Sequence, residues 1–241
     1  MQTSLENQKC AISSLAITSL LLSLAAQAGE PEEQLIQQVT DAYGGDALRN
    51  LTFYTISRKS LVLGNGQSRI PRIDEPTITN LHFAVDIANG KARLENLFSG
   101  RGDIFQGTTI NDGDQGWNIN YSSKTYGAAQ NPDVYAFAGS TMRTNDALLA
   151  YELNKVKDKA KIIGDTDYLN RPHVMLEMSF PPLSPTLTLY IDKESHFISK
   201  MTRMNPQAGL LDYIFSDVTA TGAINYATKV SFFVAGDTNL M

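Results

Sequence analysis

Thr186-Leu-Thr-Leu-Tyr-Ile191, then Asp192-Lys-Glu-Ser-His196, then Phe197-Ile-Ser-Lys-Met-Thr-Arg203, is the stretch that decides the fold. Leu187, Leu189 and Ile191 alternate with Thr188 and Tyr190, the period of a strand with one apolar face. The polar segment that follows is a turn, and the chain returns as a second strand. Leu211 to Val234 repeats the arrangement. The spacing therefore predicts a meandering antiparallel sheet buried on one side.

Working back along the chain, His173 to Phe180 places Val174, Leu176, Met178 and Phe180 on one face, and Ala160 to Gly164 reads as a strand before it. Asn80 to Ile87 does the same with Leu81, Phe83, Val85 and Ile87, and Asn89-Gly90 predicts a two-residue hairpin into Lys91 to Phe98. Thr52 to Leu63, Asp103 to Asn111 and Trp117 to Tyr121 complete a set of about ten expected strands. Gln67 to Pro76 and the prolines 181, 182 and 185 mark loops. Two regions are helical in pattern. Pro31, Glu32 and Glu33 open a helix whose stripe is Leu35, Ile36, Val39 and Tyr43, ended by Gly44-Gly45. Asn145 caps a second, through Val156, within a stretch from Ser122 to Lys159 that predicts one or two helices. The fold class expected is α+β, mainly antiparallel β: one strongly curved sheet, an incomplete β-barrel or half-barrel, covering a few helices.

At 241 residues, 42% hydrophobic and 19% charged, the chain has the composition of a folded core and not of disorder. Met1 to Lys9 is polar, Ala11 to Ala25 is apolar, and Ala26-Gln27-Ala28 is a small-x-small cleavage site. Residues 1–28 thus read as a signal peptide, too short in its apolar run to span a bilayer, and 29–241 as a single domain exported to the periplasm. Cys10 precedes the apolar run, so no acylation site follows cleavage, and it is the only cysteine. Disulfides, thiol catalysis and cysteine-bound zinc are thereby excluded from the mature chain. Glu6 and Lys9 leave together, so the net charge of −5 persists and argues against nucleic acid as a partner.

The sequence offers no cofactor or metal motif. His173, Met175 and Glu177 share a strand face, which makes His173 with Glu177 the one candidate pair for hydrolytic chemistry; His82 lies on the polar face of its strand and His196 in a turn. Asp112-Gly-Asp114 begins like a calcium loop, but Trp117 and Ser123 occupy the positions that need Gly and Glu, so a hairpin turn is expected. No Gly-x-Ser-x-Gly or His-Glu-x-x-His run occurs. Apolar side chains remain. A curved sheet with few covering helices suits a cavity for an acyl chain, lined by Phe83, Val85, Leu94, Phe98, Trp117, Tyr121, Leu176, Met178, Leu189 and Met201.

Tyr43-Gly-Gly45 before Ala47-Leu48, Asn111-Asp-Gly-Asp-Gln-Gly-Trp117, Tyr190-Ile-Asp-Lys-Glu-Ser-His-Phe-Ile-Ser-Lys-Met201, and Phe215-Ser-Asp217 with Gly222-Ala-Ile-Asn-Tyr226 occur in an order that resembles the bacterial lipoprotein carrier superfamily, the LolA-like and LolB-like proteins. The resemblance spans nearly all of residues 29–241. It implies a half-barrel whose interior receives lipid or the acyl groups of a protein partner, without catalysis. The family's functional arginine is carried to no position here. The chain also resembles the N-terminal module of longer exported proteins that continue into a metallo-β-lactamase-fold hydrolase. On that reading it is an accessory domain or a truncated product, and the hydrolase domain is its partner.

Overall fold

The computed structural model describes residues 31–63, 76–100, 102–113, 115–129, 145–179, 186–205 and 209–234. The expected leader and the proline loop at 181–185 lie outside the described residues. Two antiparallel meanders make up most of the structure. The first is β1 Phe53–Leu63, β2 Pro76–Asp86, β3 Lys91–Gly100, β4 Asp103–Asp112, β5 Gln115–Asn120 and β6 Thr125–Ala128, each strand paired to the next. The second is β7 Ala160–Tyr168, β8 Arg171–Met178, β9 Leu187–Asp192, β10 Ile198–Asn205, β11 Gly209–Thr221 and β12 Ile224–Val234, again in sequence order. Helices α1 Pro31–Ala42, α2 Asp46–Arg49 and α3 Asp146–Lys155 accompany them.

Three expectations need correction. The strands form two six-stranded sheets among the described residues, not one curved sheet, because the stretch between β6 and β7 carries α3 in place of a hairpin. The described residues form twelve strands where about ten are expected. One of those not anticipated, β6, is an edge strand of four exposed residues with no apolar alternation to betray it. The β2–β3 turn takes four residues, since the last pair is Asp86 with Lys91. Asn89 donates its backbone N–H and its side-chain amide to the Asp86 carboxylate, at 3.1 and 2.7 Å, and closes the loop locally.

The helices form where the stripes place them. Leu35, Ile36 and Val39 bury one face of α1, and Asn145 caps α3 by accepting the Leu148 N–H at 2.9 Å. Two apolar clusters result. The larger joins α1, α2 and α3 to Leu176, Met178, Leu187, Leu189, Ile191, Ile198, Met201, Leu211, Tyr213 and Phe215 of the second sheet. The smaller unites Phe83, Val85 and Ala92 of the first sheet with Leu148. Helix α3 therefore sits between the sheets, giving Leu148 to one and Leu149 and Leu153 to the other. Each fully buried leucine contributes roughly 1.5–3 kcal/mol.

The end of α1 is fixed to the last hairpin. Asn225 donates its N–H to the Tyr43 carbonyl at 3.2 Å and its side-chain amide to the Ala42 carbonyl at 2.7 Å. Gly44 lies there with φ of 125°, and a Cβ on it would run into the backbone carbonyl of Ala223. Gly44→Ala is expected to destabilise the protein by about 2–4 kcal/mol, through strain and overpacking against backbone that cannot swing aside. Denaturant unfolding of the purified variant checks this; no loss, or the gain that Gly-to-Ala gives where the backbone permits it, would show that the approach is not close.

Candidate functional site

Strand alternation gives the first sheet a face toward the helices and a face away from them. On the far face, register brings Ser57, His82, Glu95 and Thr108 into one row and Lys59, Asn80, Leu97 and Gln106 into the next. With Tyr121, at the end of β5, these side chains surround a hollow of about 620 Å³. Cross-strand neighbours in such rows lie within side-chain reach of one another, and here they bond. Ser57 Oγ and His82 Nδ1 are 2.9 Å apart, and the Thr108 hydroxyl donates to the Tyr121 phenol oxygen at 3.3 Å. The turn that carries Tyr121 is pinned by Ser122, whose Oγ accepts the Gln106 N–H at 3.0 Å and donates to the Ile104 carbonyl at 3.2 Å.

A hydroxyl beside an imidazole, with a carboxylate opposite in register, has the residue types of a nucleophile, a base and an orienting acid. The geometry is otherwise. Glu95 is held by Arg93, whose Nε donates to it at 2.8 Å, and its salt bridge is with that guanidinium. The hollow is a ring of hydrogen-bonding groups on rigid strands.

The candidate pair His173 and Glu177 is not formed. Glu177 is exposed and opposes Lys161 and Thr188, whereas the register partner of His173 is Asp192. Four positions along one strand span about 13 Å, too far for the pairing that a neighbouring strand supplies. His173 is buried, its Nδ1 2.8 Å from the Arg171 carbonyl and its Nε2 2.9 Å from Ser199 Oγ. A carbonyl only accepts, so Nδ1 carries a proton and donates it there. Asp192 Oδ2 is 3.9 Å from Nε2 and 2.8 Å from Arg171 Nε. Burial pushes the Asp192 carboxyl up, but hydrogen bonds from Ser195 and Glu194 and the Arg171 charge outweigh it and hold the group below the usual range. This cluster braces the turn at 193–195.

The ten apolar residues expected to line a cavity are divided by the structure. Leu176, Met178, Leu189 and Met201 are fully buried in the larger cluster; Phe83 and Val85 belong to the smaller, with Leu94 packed against it. Phe98 is half-buried on the helix-facing side of β3, paired with Phe105. Trp117 lies on the far face, opposite Ile110 and Ala128, and of the ten Tyr121 alone borders the hollow. Sequence reasoning did not reach Ser57, Lys59, Asn80, Gln106 and Thr108. The one signal for them was the polar half of each alternating strand.

No family model and no curated protein sequence matches the chain. A DUF1329 family protein from Desulfovibrio piger superposes with a TM-score of 0.53 at 10% identity, over 86% of this chain and 87% of its own. An uncharacterized conserved protein from Thermus thermophilus aligns over 84% of this chain and 86% of its own, at 10% identity and a TM-score of 0.34. In its described residues the chain is thus mainly antiparallel β with few helices, and it is similar in fold to the Desulfovibrio piger DUF1329 family protein.

Proposed function

We propose that the chain is an exported, non-catalytic module that takes an acyl chain, from a lipid or an acylated protein, between its two sheets in the manner of the half-barrel carriers. The observation that supports this most is a set of large apolar side chains on the helix-facing sides that the helices do not cover. Phe105 is 38% exposed, Phe232 49% and Val234 38%, and Phe98 beside Phe105 is half-buried. Phe232 stacks on Tyr213 with ring centroids 5.7 Å apart. Arg58 of β1 lies within electrostatic reach of Tyr213 of β11, which brings the inner sides of the two sheets together here. Burial pushes the Arg58 guanidinium down, with Tyr213 opposing. Apolar surface left open beside a half-buried cation suits a chain that ends in an acidic or ester head. No helix among the described residues is long and apolar enough to cross a membrane.

Displacement of cis-parinaric acid, a fluorescent fatty acid, tests the reading. The unmodified protein is expected to take up the probe, and Phe105→Asp or Phe232→Asp to weaken it by about tenfold or more, since a carboxylate in the path must be desolvated. Unchanged affinity in both variants would overturn the proposal. No uptake by the unmodified protein would favour the accessory-module reading, in which the interior is filled and the partner is a hydrolase domain.

A further inference from the structure

We propose that the hollow on the far face of the first sheet is a carbohydrate-binding site, separate from the space between the sheets. Its volume of about 620 Å³ is in the range of small-molecule sites, roughly 300–1,000 Å³. Its lining does not suit an acyl chain, because among the described residues Leu97 is the one aliphatic member of the lining with its side chain on this face, Leu81 packing with Phe83 on the other. Nor does it suit an anion. Lys59 is the one lysine of the lining, Glu95 already carries a negative charge bonded to Arg93, and the side chain of Arg58, by strand alternation, belongs to the opposite face.

What the lining does offer is a balanced set of donors and acceptors. The amides of Asn80 and Gln106 each present both kinds, as do the hydroxyls of Ser57, Thr108 and Tyr121; His82 adds an imidazole and Glu95 an acceptor. A sugar hydroxyl is itself donor and acceptor at once, and a row of them is satisfied by such a mixture and not by charge of one sign. Tyr121 and Leu97, 46% and 39% exposed, give an apolar patch at the rim for the C–H face of a pyranose ring. The polar groups are also held in place beforehand. Ser57 is bonded to His82, Thr108 to Tyr121 and Glu95 to Arg93, all on paired strands except Tyr121, whose turn is pinned by Ser122, which limits the ordering that binding must supply.

A free glycan and the sugar head of a glycolipid present the same chemistry, so the test has two arms. Full-length protein labelled with ¹⁵N is titrated with maltohexaose, chitotetraose and mannopentaose, and separately with phosphatidylcholine vesicles with and without a galactosyl lipid. The expected result is that one of these sugars, free or on the vesicle, shifts the amide signals of β1 to β4 around the hollow. Asn80→Ala, Gln106→Ala and Tyr121→Ala should each weaken that binding by about tenfold, the loss of one or two hydrogen bonds or of the ring contact. These side chains lie at the surface, so the variants keep their fold, and their affinity for cis-parinaric acid should stay unchanged. Response to the galactosyl vesicles alone, abolished by Gln106→Ala, would assign the lipid head as the source. No response in either arm, a response that survives all three substitutions, or tighter binding of inorganic phosphate than of any sugar would each overturn the assignment. None of these outcomes bears on whether the space between the sheets takes an acyl chain.

Discussion

Met178→Glu is expected to remove the cooperative thermal transition altogether. Met178 is fully buried on β8, paired with Ala160 and Leu187, and belongs to the larger apolar cluster. A carboxylate there meets no partner. Burying it unpaired costs several kcal/mol, and loss of the packed side chain adds about 2–5. Against a total stability of about 5–15 kcal/mol, the two together leave no folded population. Met178→Leu keeps volume and polarity and should cost less than about 1.5 kcal/mol. Circular dichroism on heating distinguishes them. A Met178→Glu protein that melts near the unmodified one would mean that water reaches this side chain and that the cluster is not filled. The contrast with Phe105→Asp follows from position: Phe105 is partly in solvent, so its charge is hydrated and the fold survives the change.

The second large effect is expected at Asp146, a buried carboxylate at the first turn of α3. Its Oδ2 accepts the Tyr43 hydroxyl at 2.8 Å, and its two oxygens accept the Ala227 N–H at 2.9 and 3.1 Å. The Tyr43 oxygen in turn accepts the Ile198 N–H at 3.1 Å. One carboxylate thus joins the end of α1, the start of α3, β10 and β12. Asp146→Ala leaves the Tyr43 hydroxyl and the Ala227 N–H buried without an acceptor. The expected loss is about 3–5 kcal/mol, or roughly 10 °C in melting temperature for a chain of this size. Asp146→Asn keeps an acceptor for Ala227 and should lose less.

The same residue makes stability depend on pH. Burial pushes the Asp146 carboxyl up, against hydrogen bonds from Ala227 and Tyr43 that lower it, and the net direction is upward. The folded protein therefore still holds this proton at pH values where the unfolded chain has released it. Its contribution to stability is complete below the ordinary carboxylate range and is lost as pH rises through the raised value. Relative to Asp146→Asn, the unmodified protein should gain stability on acidification across that window. Guanidinium unfolding of both proteins at several pH values measures the difference, and parallel profiles would contradict an upward shift.

The strands of the second sheet were legible because their inner rows are the core: Leu187, Leu189 and Ile191 alternate on the page as they do in the cluster. The α1 stripe and the Asn145 cap were legible for the same reason, each being a local pattern with a local cause. Where a ladder ends is a different matter. Alternation states which face of a strand is buried but not which strand comes next, so a single curved sheet and two separate ones have the same signature. The hollow escaped notice through the same gap. His82 could be placed on a polar face from the sequence, but its nearness to Ser57 depends on a register between positions 25 residues apart. The apolar residues escaped differently, since Met178 and Phe98 have the same periodicity and only the helices decide which of them is covered.

Both sheets are simple meanders, and this bears on the order in which the chain assembles. Among the described residues every strand pair joins neighbours in sequence, with at most twelve residues between partners, so each hairpin forms at modest entropic cost. The contacts of Tyr43 and its neighbours are of another kind. They span 103 residues to Asp146, 155 to Ile198 and, from Ala42, 183 to Asn225. Long closures of this sort slow folding, and here they are concentrated in the docking of one N-terminal helix. The sheets are built from local information, and α1, which rests on α3 and β7, has its C-terminal end fastened only when the last strand of the second sheet is in place.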